Sequence, residues 1–283
     1  MTTTRLLSRV FLAAAILASM FALPKSALAK GAPAAAKKEV KQESWCAPEI
    51  ESLPGDVCYL DGTKGKAKTS RKTLVIFLHG AIAKNTTWSW NHERMMTRLA
   101  NYHGVEIVFP KSPLADVGYV WPGKLEEQKA QEQALIDNWM SAKALLEKRD
   151  GKSFDEVFVM GFSSGAYFTS SLAARGRVDA DGYAVFAGGQ SQAPVASPVA
   201  RFAPVFVGAC TKDSTGTAAH SLAFAGSLTA ANIPRMYSEQ PVGHGLSEVH
   251  FAQALSYLRN MQKPKVSSVA LLDQRYWRFA IAA

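Results

Sequence analysis

The chain has 283 residues, 48% of them hydrophobic and 19% charged, with 20 glycines, three cysteines and a formal charge of +9. That length supports one α/β domain with a full core and excludes the same domain plus a second substantial one. The basic excess comes without a nucleic-acid-binding motif, and no His/Cys/carboxylate cluster has metal-ligand spacing. Neither nucleic acid, metal nor cofactor is expected.

At the amino terminus Arg5 and Arg9 precede an apolar core, Val10–Leu23, and Ala27-Leu28-Ala29 supplies the small residues of a cleavage site. Residues 1–29 thus read as a signal peptide, because an apolar core of fourteen residues falls short of the ~20 that span a bilayer. The expectation is a secreted or periplasmic protein with no stable membrane insertion after cleavage. Loss of the leader removes three basic residues and leaves a net charge of +6. Residues 30–44, rich in Ala and Lys with almost no large apolar residue, read as a disordered linker, and 45–283 as one domain. Cys46 and Cys58 flank a segment with Pro48, Pro54 and Gly55 and are expected to pair in an oxidising compartment. Cys210 is left as a small buried hydrophobe.

Val57–Leu60 reads as an early edge strand, and the basic run Lys64–Lys72 as a solvated turn leading into Thr73–Leu78, a buried strand. That strand ends in His79-Gly80-Ala81-Ile82. Trp88 and Trp90 read as helix-packing residues in the segment that follows, and Val105–Phe109 as the next strand. The loop 111–123 carries Tyr119 and Trp121, which form either an aromatic wall for substrate or anchors for the loop. Leu125–Lys148 reads as a long helix burying Leu135, Trp139, Leu145 and Leu146.

Phe154–Met160 is a buried strand, and Gly161-Phe162-Ser163-Ser164-Gly165 joins it to a helix over 166–174. G-x-S-x-G between a strand and a helix is a nucleophile elbow, in which tight backbone geometry demands small neighbours and projects the serine above the sheet. Tyr183–Phe186 and Pro204–Ala209 are further strands, and the second delivers Asp213 at its carboxyl end. A helix over 217–231 and a strand over 233–238 lead to His244-Gly245 in a glycine-flanked loop. The closing helix, 246–261, shows Val249, Ala252 and Leu255 on one face, and the tail 266–283 has no evident place. Between 187 and 203 there is no room for a lid.

Alternating strands and helices give a doubly wound, mostly parallel sheet flanked by helices, with no lid domain. Ser163, Asp213 and His244 then fall on one sheet edge in the order nucleophile, acid, base. A serine hydroxyl attacks only as its proton is removed, imidazole titrates near neutrality, and a carboxylate fixes the imidazole tautomer. The N–H groups of Ala81 and Ser164 are the expected oxyanion donors, with Ile82 close behind Ala81. His79 precedes the serine and reads as a support for its loop. His220 and His250 lie in helices and Asp179 and Asp181 at the amino end of a strand, so all four are set aside. Glu239 is a weaker rival to Asp213.

His79-Gly80, Gly161–Gly165, Asp213 and His244-Gly245 together resemble the α/β-hydrolase superfamily from about residue 73 to 262. Within it, the chain looks most like secreted lidless esterases of the poly(3-hydroxybutyrate)-depolymerase and feruloyl-esterase type. The resemblance implies a serine esterase acting on a small-molecule or polymeric ester. Acyltransferase and peptidase outcomes from the same triad remain open, as does a catalytically silent binding protein. The natural ester and the oligomeric state are not legible.

Overall fold

The computed structural model describes residues 44–65, 71–190 and 202–262. The expected signal peptide, all of the expected linker but Ser44, the middle of the basic run, most of the 187–203 connection and the tail beyond 262 lie outside these residues.

A short hairpin, β1 (Glu51–Leu53) and β2 (Val57–Leu60), opens the fold. Then follow β3 (Thr73–Leu78), α1 (Trp88–His103) and β4 (Glu106–Pro110). A small hairpin, β5 (Leu114–Ala115) and β6 (Gly118–Tyr119), precedes α2 (Leu125–Asp150). The remainder alternates: β7 (Glu156–Phe162), α3 (Ser164–Arg175), β8 (Gly182–Phe186), β9 (Val205–Cys210), α4 (Thr217–Ala230), β10 (Arg235–Gln240) and α5 (Glu248–Met261). Eight strands form one sheet in the order β1-β2-β4-β3-β7-β8-β9-β10. All pairings from β4 to β10 are parallel, and only β1–β2 and β2–β4 are antiparallel. This is an α/β-hydrolase fold. Because β1 pairs outside β2, Val57–Leu60 is not the edge strand expected from sequence. Three residues of which two are exposed offer too little apolar pattern to reveal β1.

The inner strands are buried on both sides, so their side chains feed two cores in alternation. In β3, Leu74, Ile76 and Leu78 join α2, α3 and α4 on one face, while Val75 and Phe77 join α1 and α5 on the other. Val157 and Val159 against Phe158 and Met160 repeat the division in β7. On α2 the buried residues are Ile136, Trp139, Ala142 and Leu146, whereas Leu145 is 42% exposed. Seven residues return almost to the same helix face and six do not, so Trp139 and Leu146 share a side that Leu145 cannot. The same rotation corrects α5: Phe251, Ala254, Leu255 and Leu258 face the sheet, and Val249 points to solvent. Trp88, expected to pack, is 58% exposed at the start of α1.

Cys46 and Cys58 are joined by a disulfide, with Cα atoms 5.4 Å apart, and Cys210 is free and buried. Among the described residues no helix is long and apolar enough to cross a membrane.

Candidate active site

Ser163 sits between β7 and α3 with φ 51° and ψ −116°. A non-glycine residue there carries backbone strain of about 1–3 kcal/mol, which the surroundings must hold. They do so through the Ser163 N–H, which donates to the Phe186 carbonyl at 3.0 Å, and the Gly165 N–H, which donates to the His79 carbonyl at 3.1 Å. Both elbow glycines are required by close approach. A Cβ on Gly161 would strike the Gly165 carbonyl and the Thr169 hydroxyl, and one on Gly165 would strike the carbonyls of Leu78 and His79. The sharp turn presses α3 onto β3 and β7.

His244 lies in the exposed loop after β10. Its Nε2 is 2.9 Å from Ser163 Oγ and its Nδ1 2.6 Å from Asp213 Oδ2. The Phe162 ring packs against the imidazole at 5.2 Å. Asp213 leaves β9 and its carboxylate is filled with donors: Thr215 gives its N–H (2.8 Å) and hydroxyl (2.6 Å) to Oδ1, and Thr217 gives its hydroxyl to Oδ2. Burial opposes ionisation of this carboxyl, but the hydrogen bonds from Thr215, Thr217 and His244 outweigh it. They hold Asp213 well below the usual carboxylate range. Asp213 is therefore an anion at any pH near neutrality, fit to keep a proton on Nδ1 and leave Nε2 as the acceptor facing the serine.

The loop after β3 runs close beside this group. A Cβ on Gly80 would lie 3.0 Å from the Phe162 ring and 3.3 Å from Ser163 Cβ. His79 is fully buried, and burial pushes its imidazole down to about 3. It is neutral, with Nδ1 2.5 Å from the Gly80 carbonyl and Nε2 accepting the Ser112 N–H at 3.3 Å. Those partners make Nδ1 the protonated nitrogen. The Ile82 N–H donates to the Tyr119 carbonyl at 3.0 Å, and the Tyr119 N–H returns a bond to Ile82 at 2.8 Å. Ile82 thus has no N–H to offer. The N–H groups of Ala81 and of Ser164, the first residue of α3, have no partner among the described residues.

Tyr119 is half-buried and belongs to this clamp. Trp121 is 3% exposed; its indole N–H donates to the His79 carbonyl at 2.9 Å, and its backbone N–H to the Ser164 hydroxyl at 3.0 Å. The Trp121 ring stacks on Phe168 at 5.9 Å. Of the two readings left open for Trp121, its surroundings are those of an anchor. Among the residues set aside, His250 is buried between the sheet and α5, and His220 bonds Tyr167 at 2.6 Å. Asp181 receives the Val157 N–H at the opposite end of β7, and Glu239 takes the Tyr237 hydroxyl at 2.8 Å. Cys210 Sγ is 3.5 Å from the Gly245 carbonyl. Sequence reading missed Thr215 and Thr217. The D-x-T spacing that lets an aspartate bind the N–H two residues on was the available signal. Among the described residues no group of His, Cys, Asp and Glu is arranged to hold a metal ion.

Residues 121–257 match the family model of the dienelactone hydrolase family. No curated protein matches the sequence. Among solved structures, a carboxylesterase from Mesorhizobium loti is 20% identical with a TM-score of 0.53, covering 74% of this chain and 98% of its own. Esterase PE8 is 19% identical with a TM-score of 0.52, over 75% of this chain and 100% of that one. A Bacillus cereus carboxylesterase is 16% identical with a TM-score of 0.51, over 72% and 93%. Such identities speak for the fold, whose strand order and crossovers are those described above. The stretch 121–257 is thus similar to the dienelactone hydrolase family, and the chain has an α/β-hydrolase fold.

Proposed function

We propose that this protein is a serine hydrolase that cleaves carboxylic esters through an acyl-enzyme on Ser163. The observation that carries the reading is the unbroken relay from Ser163 Oγ through His244 to Asp213, with contacts of 2.9 and 2.6 Å. As Oγ attacks the ester carbonyl, its proton passes to His244 Nε2, and the Asp213 carboxylate stabilises the imidazolium without taking the proton. The N–H groups of Ala81 and Ser164 receive the oxyanion. The imidazolium then protonates the departing alcohol. In the second half the neutral imidazole deprotonates water, which releases the acid and restores Ser163. Carboxylesterase neighbours support the reaction class, and the disulfide supports export of the protein to an oxidising compartment.

Fluorophosphonate labelling combined with turnover of a chain-length series of nitrophenyl esters tests this. The wild type should label once and hydrolyse at least the shorter esters, and Ser163→Ala should lose both properties while keeping its unfolding midpoint. A Ser163→Ala protein that still labels and turns over would remove Ser163 from the nucleophile role.

A further inference from the structure

The segment ahead of β1 lies outside the stretch that matches the dienelactone hydrolase family, yet it reaches the candidate site. Trp45 is 6% exposed and held from both sides. Its neighbour Cys46 is bonded to Cys58 in β2, and the Ala47 N–H donates to the buried Glu93 carboxylate at 2.7 Å. The Trp45 carbonyl accepts the Ser89 hydroxyl at 3.3 Å. These attachments leave the indole facing inward, with its ring 5.2 Å from His79 and 5.2 Å from Tyr119. Phe109 lies behind, 6.3 Å from Trp45 and 5.4 Å from His79.

Those two contacted residues hold the loop that carries Ala81. His79 engages the Gly80 carbonyl on one side of Ala81, and Tyr119 is paired with Ile82 on the other. Trp45 touches both anchors by ring contact, 5.2 Å from each. We infer that Trp45, fastened by the Cys46–Cys58 disulfide, is a positioning residue that sets the Gly80–Ile82 loop for oxyanion binding. The inference rests on the reading of Ala81 as an oxyanion donor. An oxyanion donor acts only where the charge develops, so its displacement slows turnover more than it weakens ground-state binding. The disulfide would then serve catalysis through one aromatic side chain.

The experiment pairs kinetics with amide hydrogen exchange in Trp45→Ala, Trp45→Phe and the double variant Cys46→Ala/Cys58→Ala. Trp45→Ala should lower kcat on nitrophenyl acetate about ten- to a hundred-fold, as expected for a sub-ångström displacement, with KM changed less than about twofold. Exchange should quicken in a peptide spanning residues 79–83, where the Ile82 amide is bonded, and stay unchanged in a peptide from α5. Trp45→Phe should recover most of both losses, and the cysteine double variant should fall between. Should Trp45→Ala fail to fold, Trp45→Leu keeps the apolar bulk without the ring and takes its place. Unchanged kcat with unchanged exchange at 79–83 overturns the inference, as does exchange that quickens equally in α5. If the wild type hydrolyses no ester while exchange at 79–83 responds as expected, the esterase reading falls and the positioning of the loop stands.

Discussion

Replacing Asp213 by asparagine perturbs the site at its most constrained point. Every contact on this carboxylate is a donor: the N–H and hydroxyl of Thr215, the hydroxyl of Thr217 and Nδ1 of His244. An amide has one oxygen and one NH₂ group, so its nitrogen must face one pair of these partners. Pointed at Thr215, it meets a backbone N–H that cannot turn away, and a hydrogen bond worth about 1 kcal/mol is replaced by a buried clash of donors. Pointed at His244 and Thr217, it meets two groups that can adapt, because the hydroxyl rotates and the imidazole moves its proton to Nε2. The second orientation satisfies every partner, so asparagine selects it, and the ring then presents an N–H to Ser163 instead of a base. Turnover should fall by ~10⁴, as when a triad carboxylate is replaced by its amide elsewhere, equivalent to about 5 kcal/mol of barrier. KM should hardly move. Steady-state kinetics on nitrophenyl acetate measures this, with Asp181→Asn and Glu239→Gln alongside. Asp181 serves the Val157 N–H at the far end of the sheet, and Glu239 serves the Tyr237 hydroxyl. If Asp213→Asn keeps more than about a tenth of wild-type turnover, or Asp181→Asn falls as far, the tautomer argument is refuted.

Gly80→Ala should cost about 1–3 kcal/mol of stability, the usual effect of overpacking. Its methyl would crowd Phe162, which packs on His244, so kcat should drop by about tenfold; urea unfolding and ester kinetics check the pair, and a neutral result in both would show the loop to be loosely seated. Glu93→Gln tests a buried acid. Burial pushes the Glu93 carboxyl up to about 7, and its Oε1 has no partner among the described residues. A carboxyl raised on folding favours its neutral form, so wild-type stability should decline as pH rises from about 4.5 through 7, by on the order of 3 kcal/mol at most. The glutamine variant should lack that decline, and superimposable stability–pH curves for the two proteins would contradict it.

Much of this architecture was legible because its signals are local. The elbow declares itself through two glycines whose Cβ positions are occupied by backbone, and β3, β7 and β9 through apolar runs buried on both sides. What escaped depends on where distant chain returns. Whether Ala81 or Ile82 keeps a free N–H is decided by a bridge to Tyr119, far along the sequence. Which way Trp121 turns depends on the His79 carbonyl and the Phe168 ring, which no spacing within its own loop reveals. The misplaced faces of α2 and α5 have a simpler cause. Adjacent helix positions differ by about 100°, so choosing Leu145 or Val249 over a near neighbour turns the side chain from core to solvent.

The groups that meet at the site come from strands of very unequal security. Ser163 follows β7, which is flanked by β3 and β8 and buried along nearly its whole length. His244 follows β10, the last strand of the sheet, which has β9 as its one neighbour among the described residues and side chains that are exposed or half-buried throughout. The loop between is tied back by the Lys212 N–H to the Val242 carbonyl at 3.0 Å and the Thr211 N–H to the Gln240 carbonyl at 2.9 Å. Fraying of an outer strand takes far less free energy than opening a central one. With Ser163 and His244 in the roles proposed above, activity should therefore be lost on heating before the fold is, as local opening around His244 precedes the opening of either core.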